Sequence, residues 1–202
     1  MPGQKIDLYK LYKDEYVTPR KPILVKTEPA QYLAISGQGA PGSDRFSACI
    51  GALYAVAFTI KMTRKFARKQ DYAVCKLEGQ WFFEVDPARI PKDQWQWKLL
   101  IRTPDFIKEA DRQQAVATLL KKRKSRDVEE VKLETINEGQ CVQMLHIGPY
   151  DREHETIALM RAFAEQNALK LVEPHHEIYL SDPRRTPPER LKTILREPVK
   201  KT

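Results

Sequence analysis

The chain has 202 residues, of which 42% are hydrophobic and 31% are charged, a composition typical of a soluble globular protein. This length allows one large domain or two small ones, and either would bury a core. The longest apolar run, residues 50–60, is shorter than the roughly 20 residues that a membrane-spanning helix needs. The start of the chain also lacks the pattern of a secretory signal. We therefore expect a cytoplasmic protein without a membrane partner.

The formal net charge is +8, but the lysines and arginines are concentrated in local clusters at 61–69, 121–126 and 200–201. Aromatic residues do not interleave with these clusters, as a base-stacking surface would require. We therefore do not expect nucleic acid as a partner. The three cysteines, Cys49, Cys75 and Cys141, are odd in number and widely spaced, which excludes a disulfide framework and a paired-cysteine metal site.

The first half of the chain predicts an arm followed by a strand, helix, strand, strand unit. Residues 1–30 contain four prolines and no sustained periodicity, which indicates an extended arm. An apolar run at 31–36 predicts a strand that ends at a glycine-rich loop. Helical spacing starts at Asp44 and reaches the basic cluster at 65–69. Strands are predicted near 73–77 and 81–85, and a further strand at 94–102 places Trp95 and Trp97 on one face.

The second half restates the first. Helical spacing at 105–124 predicts a connecting helix, followed by strands at 131–136 and 141–147, a helix at 151–167, a strand at 177–180 and a final strand. Residues 98–104 (Lys-Leu-Leu-Ile-Arg-Thr-Pro) match residues 192–198 (Lys-Thr-Ile-Leu-Arg-Glu-Pro) in lysine, aliphatics, arginine and proline. We therefore predict an α+β fold with two related modules, at about 31–104 and 131–200, that pair and form a ligand cleft.

The strand within 175–180 carries the most informative side chains. A period of two places His175, Glu177 and Tyr179 on one face and His176 on the other. If the first face lines a cavity, Glu177 is a desolvated carboxylate that could bind a cation or activate water. A solvated edge strand is the alternative. Because His175 and His176 point to opposite faces, they cannot both ligate one metal, and no metal site is predicted.

Aromatic residues are plentiful enough to line such a cleft: Tyr54, Phe58, Trp81, Trp95, Trp97 and Tyr179. Flat aromatic walls suit a flat, hydrophobic ligand, although two tryptophans on one strand face could equally cover a hydrophobic core. No serine lies in a nucleophile-elbow pattern. Water activated by Glu177, with a tyrosine as hydrogen-bond or proton donor, is therefore the enzymatic scheme that the residues favour.

Two motifs carry a resemblance to a known family. Residues 146–150 read His-Ile-Gly-Pro-Tyr, and residues 175–180 read His-His-Glu-Ile-Tyr-Leu within a longer matching run to residue 199. Together with the helix around Tyr54 and the Trp95-Gln96-Trp97 segment, they closely resemble the stand-alone GyrI-like small-molecule-binding proteins, over most of residues 30–200. The resemblance implies two modules in a pseudo-twofold arrangement and an aromatic cleft with a buried glutamate, for which Glu177 stands at the matching position.

Some stand-alone relatives are cyclopropanoid cyclopropyl hydrolases, which open the cyclopropane of DNA-alkylating natural products of the yatakemycin and CC-1065 type. By resemblance, this chain is expected to be such a hydrolase without a cofactor. The implied catalytic residues are Glu177, Tyr54 and Tyr179. The implied ligand-binding residues are Trp81, Trp95, Trp97, Phe58, His146 and Tyr150.

A drug-sequestering or sensing protein without turnover remains the alternative. Related regulators carry a DNA-binding helix-turn-helix in front, for which the first 30 residues have no room, so direct transcriptional control is not expected. Contact with DNA gyrase is not expected either, because the basic charge of the chain argues against mimicry of acidic DNA.

Overall fold

The structure is a computed structural model that describes residues 5–83, 85 and 87–202. In chain order its helices and strands are α1 (Leu8–Leu11), β1 (Ile23–Lys26), β2 (Ala30–Gln38), α2 (Asp44–Phe66), β3 (Glu78–Phe82), β4 (Gln96–Arg102), α3 (Glu109–Lys121), β5 (Lys132–Ile136), β6 (Gln140–Ile147), α4 (Glu153–Gln166), β7 (Leu169–Leu171), β8 (His175–Tyr179) and β9 (Lys192–Lys201).

The nine strands form one antiparallel sheet whose order is itself symmetric. The strands run β1-β6-β9-β8-β3-β4-β2-β5, and β7 adds to β9. Counted outward from the boundary between β8 and β3, the strands β8, β9 and β6 on one side correspond to β3, β4 and β2 on the other. The repeated letters Lys98–Arg102 and Lys192–Arg196 lie in β4 and β9, the middle strands of these two sets. The α+β fold with two pseudo-twofold-related modules is thus confirmed.

Helix α2 covers the first module. Ser43 caps it by accepting a hydrogen bond from the backbone N–H of Phe46, and an apolar stripe that includes Leu53, Val56 and Ile60 is fully buried. This stripe packs with inward-facing residues of β2 and β4, such as Leu99, in the main hydrophobic core. The sheet face that carries Leu99 is therefore the helix-covered face of the first module.

Helix α4 covers the second module on the same sheet face. Its buried Met160 and Ala164 pack against Met144 of β6 and Leu195 of β9. Leu195 lies opposite Glu177 in the β8–β9 register, and Glu177 lies opposite Gly79 in the β3–β8 register. Directly opposed residues of antiparallel strands share a face. The central strands β3 and β8 consequently form the floor of a groove between the two helices.

Helix α2 is also long and apolar enough to cross a membrane when judged by length and composition alone. The expectation from the shorter run at 50–60 was wrong on this point, because the helix extends well beyond that run. In this structure the buried side chains of the helix belong to the main hydrophobic core, so packing on the sheet accounts for that part of its apolar character.

Three stretches of the chain differ from the sequence prediction. No strand is observed at 73–77, where Tyr72 makes only an isolated bridge to Ile6, and the next strand is Glu78–Phe82 rather than 81–85. Residue 84 of that predicted strand lies outside the described residues. The helix predicted from residue 105 begins at Glu109, because a turn follows Pro104. The predicted arm contains the short helix α1 and the strand β1, which pairs with β6.

The N-terminal segment covers a buried ionic network on the opposite face of the sheet. Glu15 accepts a hydrogen bond from Arg102 at 2.8 Å, and Glu138 contacts Arg196 at 3.3 Å and His176 Nδ1 at 2.8 Å. Although burial raises the pKa of Glu138, His176 and Arg196 lower it to about 2. Arg102 and Arg196 are the two arginines of the internal repeat, so each module supplies one buried cation to this face.

Candidate functional site

Strand alternation and pairing place the candidate carboxylate in the groove between α2 and α4. Glu177 lies opposite Gly79, and Tyr179 lies opposite Thr193, all on the helix-covered face. Glu177 is only 8% exposed, so it is not a solvated edge residue. The predicted separation of His175, Glu177 and Tyr179 from His176 is observed, since His176 belongs to the ionic network on the other face. Glu177 is therefore a buried acid at the floor of the groove.

A second carboxylate lies beside Glu177. Glu153, the first residue of α4, is 6% exposed. Burial, followed by the charge of Glu177, raises the pKa of Glu153 well above its usual range, and a hydrogen bond with Thr193 opposes this rise in part. Burial beside a second carboxyl group therefore favours the protonated, uncharged form of Glu153 near neutral pH. The site thus holds two buried carboxyl groups, of which that of Glu153 is kept protonated.

His175 connects this pair to a third glutamate. Its Nδ1 lies 2.9 Å from Glu197 Oε1, and its Nε2 lies 3.4 Å from Glu177 Oε1. Burial by itself lowers the pKa of His175, but the adjacent carboxyl groups of Glu177 and Glu197 raise it to about 10. Near neutral pH the ring is therefore an imidazolium that balances the charge of its carboxylate neighbours.

Two phenols enclose the carboxyl pair. The ring of Tyr150 stands perpendicular to that of Tyr179, with centroids 5.9 Å apart. Burial, followed by the charges of Glu177 and Glu153, raises the pKa of Tyr179 well above its usual range and that of Tyr150 to about 12. Both side chains are therefore protonated near neutral pH. Gly79 makes room for this arrangement, because a Cβ there would lie 2.8 Å from Tyr179 Oη.

The three tryptophans occupy different environments. Trp81 is buried, and its indole N–H finds no hydrogen-bond partner among the described residues. Trp95 makes an edge contact with Trp81, at a centroid distance of 5.8 Å, and donates a hydrogen bond to the Ile90 carbonyl. Trp97 is only 1% exposed, donates to the Gly39 carbonyl at 3.1 Å and lies in the main core. Trp81 and Trp97 are directly opposed and share the helix-covered face, but Trp81 lies on β3 opposite His175, whereas Trp97 lies one strand further from the acidic pair on β4.

The remaining candidates lie at the edges of the groove. Tyr54 is half-buried on α2 and stacks on Phe58 at a centroid distance of 6.0 Å, and Phe58 is 49% exposed. Burial raises the pKa of Tyr54, against an opposing hydrogen bond with the backbone of Leu77. His146 is buried, and both of its ring nitrogens already have partners, Thr156 Oγ1 at 2.8 Å and the Pro149 carbonyl at 3.2 Å.

Glu153 and the bridging role of His175 were missed by the sequence analysis. A signal for Glu153 existed, because it shares the buried stripe of α4 with Thr156, Met160 and Ala164 at helical spacing. A carboxylate on an apolar helix stripe is unusual unless it is paired. The pairing itself depends on where α4 lies over β8, which the local pattern does not specify.

Two cavities of the described structure lie away from this pair. One, of about 430 Å³, is lined by residues of the β8–β9 connection, including Ser181 and Arg190. The other, of about 370 Å³, lies on the opposite sheet face near Gln80 and Glu138. The side chains of Glu153 and Glu177 are buried, and Tyr150, whose ring contacts that of Tyr179, is 39% exposed.

Comparison with known proteins agrees with this architecture. A structure of an uncharacterized conserved protein from Listeria innocua is 38% identical, with a TM-score of 0.91, over 97% of this chain and 100% of the other. A hydrolase from Listeria innocua is 37% identical, with a TM-score of 0.88 and the same coverage. The C-terminal domain of EcmrR shares the fold at 11% identity, with a TM-score of 0.62, over 90% of this chain and 98% of that one.

No curated protein matches the chain. The model of the GyrI-like small molecule binding domain matches residues 97–200, which is more than half of the chain and includes all of the second module. With a symmetric two-module sheet and a buried acid in the groove between its helices, the chain belongs to the GyrI-like small-molecule-binding family.

Proposed function

We propose that this protein binds flat aromatic molecules in the groove between α2 and α4 and adds water to their strained cyclopropane ring. The substrates would be DNA-alkylating natural products of the yatakemycin and CC-1065 type, whose destruction in the cytoplasm would protect the cell. The observation that carries the proposal is the buried pair of Glu153 and Glu177, whose ligand atoms lie within 4.8 Å of each other and of His175 on the helix-covered face. The similarity to proteins described as hydrolases, at 37% identity, supports turnover rather than binding alone.

The reaction adds one water across one carbon–carbon bond. In our proposal the Glu177 carboxylate takes a proton from water while the water oxygen bonds to the unhindered ring carbon. The strained carbon–carbon bond breaks, and its electron pair moves into the conjugated ring, where the carbonyl oxygen becomes a phenolate. Positioned proton transfer of this kind accelerates a reaction about 10²–10⁴-fold.

A tyrosine would stabilise the developing phenolate. Tyr179 and Tyr54 are the candidates, and the pKa of each is raised. A phenol with a raised pKa donates a hydrogen bond but does not readily give up its proton. We therefore assign the proton that finally neutralises the phenolate to the carboxyl pair or to solvent, and not to a tyrosine.

The aromatic residues would have three roles: some stack on the ligand, some pack behind those residues, and one moves to admit the ligand. We assign Trp81 and Trp95 to the wall that stacks on the ligand, since they contact each other at the groove. Trp97 would support that wall through the shared neighbour Phe46, which packs on both Trp81 and Trp97. Because Tyr150 is the partly exposed ring over the acids, we propose that it moves aside when a ligand enters. Phe58 would then extend the wall at the rim, and His146 would hold the start of α4 in place.

Binding without turnover is the second candidate. A buried acidic pair among aromatic rings also suits a flat organic cation, because the carboxylate supplies charge and the rings supply a π-face. A protein of this kind would sequester or sense its ligand. The two functions differ in one requirement, since hydrolysis needs a water held against Glu177 and binding does not.

The deciding experiment is to incubate the purified protein with a cyclopropanoid alkylator such as a duocarmycin analogue and to follow ring opening by mass spectrometry. We expect the substrate to gain one water, and Glu177→Gln to reduce the rate at least about 100-fold while ligand binding is largely retained. Glu165→Gln, an exposed change on the same helix as Glu153, is the matched control and should leave the rate unchanged. Tight binding without any turnover would instead establish the sequestering function.

A further inference from the structure

We propose that Glu153, His175 and Glu177 form a binding site for one Zn²⁺ ion, with the fourth coordination position open toward the groove. Each of the three side chains offers one ligand atom, and these atoms all lie within 4.8 Å of one another. One imidazole nitrogen and two carboxylate oxygens are a donor set that zinc accepts in protein sites with an open position. This site goes beyond the proposed hydrolysis, which uses no metal.

The spacing of two of the ligand atoms already matches a metal site. His175 Nε2 lies 3.4 Å from Glu177 Oε1. In a tetrahedral zinc site with bonds of about 2.0–2.1 Å, neighbouring ligand atoms are about 3.3 Å apart. An ion can therefore contact both atoms with almost no movement of the backbone. Glu153 is on a different element, and its ligand atom already lies within 4.8 Å of the other two.

The histidine is oriented as a metal ligand. His175 Nδ1 is held by Glu197 Oε1 at 2.9 Å, which leaves Nε2 facing Glu177. Metal-binding histidines usually direct their other ring nitrogen to a carboxylate or a carbonyl in this way, and the partner fixes the tautomer and the ring orientation. Glu197 is thus placed to position the ligand without touching the ion.

Orphaned polar atoms give an independent indication. Glu153 Oε1 and His175 Nε2 are both buried and without a satisfactory hydrogen-bond partner among the described residues. Glu153 is more than nine-tenths buried. Unsatisfied buried polar atoms are costly, and they usually mark a missing water, ion or functional partner. A divalent ion bound here would displace the proton of Glu153 and the Nε2 proton of His175 to solvent, and it would satisfy both orphaned atoms at once.

Zinc titration of the metal-free protein, by isothermal titration calorimetry and in the absence of any small molecule, tests the site. We expect one Zn²⁺ per chain with a micromolar or tighter Kd. Glu153→Gln and His175→Asn should each weaken binding at least tenfold, and Glu197→Gln should weaken it about 10–100-fold through the ring orientation. Two exposed neighbours are the controls, and Glu165→Gln and His154→Asn should leave the Kd unchanged.

Cobalt provides a second readout. Co²⁺ in the same position should give the visible absorption of a four-coordinate N,O site, and Glu153→Gln should abolish it. Circular dichroism establishes which variants fold, and Glu197→Gln, which keeps all three ligands, remains informative where a ligand variant does not. The proposal is overturned if zinc does not bind in a saturable one-to-one manner, or if folded variants of Glu153, His175 and Glu197 bind it as tightly as the unchanged chain. Since the titration contains no organic ligand, its outcome is independent of the hydrolysis experiment.

Discussion

Replacing Gly37 with alanine is expected to destabilise the protein because Trp97 occupies the space that a side chain would need. Gly37 lies opposite Trp97 in the β2–β4 register. A Cβ on Gly37 would be 2.3, 2.6 and 2.8 Å from three carbon atoms of the indole ring. The ring cannot yield easily, since Trp97 is fully buried and its N–H donates a hydrogen bond to the Gly39 carbonyl.

The magnitude follows from these contacts. Overpacking a core typically costs about 1–3 kcal/mol. Displacing the indole would also weaken its hydrogen bond, which is worth about 1 kcal/mol. We therefore expect Gly37→Ala to lower the free energy of unfolding by about 3 kcal/mol. With a urea dependence of about 2 kcal/mol per molar, the unfolding midpoint should fall by roughly 1.5 M.

Gly51 is the matched control. It lies on the exposed side of α2, and a Cβ there would meet nothing within 4 Å. Alanine is the better helix former by about 0.5–1 kcal/mol, so Gly51→Ala should raise the urea midpoint. Both variants are compared with the unchanged chain by urea denaturation, monitored by tryptophan fluorescence and circular dichroism. A Gly37→Ala midpoint equal to that of the unchanged chain would refute the core position of Trp97 and leave its indole free to contact a ligand directly.

Four further outcomes are expected. The pKa of His176 is lowered by burial but raised to about 9 by Glu138 and its neighbours, above the ordinary 6.5. The contribution of His176 to the free energy of unfolding is therefore fully present below pH 6.5 and is lost as the pH rises through 9. Urea midpoints should fall across that range by an amount that corresponds to about 3 kcal/mol of unfolding free energy. The pKa of Glu138 is lowered from its ordinary 4.5 to about 2, so the contribution of this carboxylate to stability should be lost as the pH falls from 4.5 toward 2. Urea midpoints that stay unchanged in both pH ranges would contradict the buried ionic network. Gly79→Ala, whose Cβ would lie 2.8 Å from Tyr179 Oη, should leave the chain folded but slow ring opening at least about tenfold in the mass assay. Ser43→Ala removes the N-terminal cap of α2 and should lower the thermal unfolding midpoint by an amount that corresponds to about 1 kcal/mol; a larger loss would indicate a second role for the hydroxyl.

Local periodicity predicted much of the architecture. The strand at 175–179 was expected to separate Glu177 from His176, and the structure places them on opposite faces, because alternation is a property of any extended strand. The repeat of Lys98–Arg102 at Lys192–Arg196 predicted two related modules, and the symmetric strand order confirms them. Long helices with a wide apolar stripe were likewise found near their predicted positions.

Short and weakly patterned elements were not predicted. The strand Ile23–Lys26 forms only because β6 presents a free edge, and Leu169–Leu171 forms because β9 extends past β8. Segments this short carry little periodicity of their own, so their strand character comes from a partner that is distant in the sequence. The same holds in reverse for residues 73–77, which had a strand-like composition but no neighbouring strand to pair with along their length.

The sequence by itself determined which side chains share a strand or helix face, and the family motifs pointed to Glu177 as the central acid. Only the tertiary structure decided that Glu153 comes from α4 to lie beside it, that His175 bridges Glu177 and Glu197, and that Trp97 is buried over Gly37. These relations join separate elements. Periodicity reports the direction of a side chain relative to its own backbone, whereas proximity between elements, and with it every shifted pKa in the groove, depends on how the helices pack on the sheet.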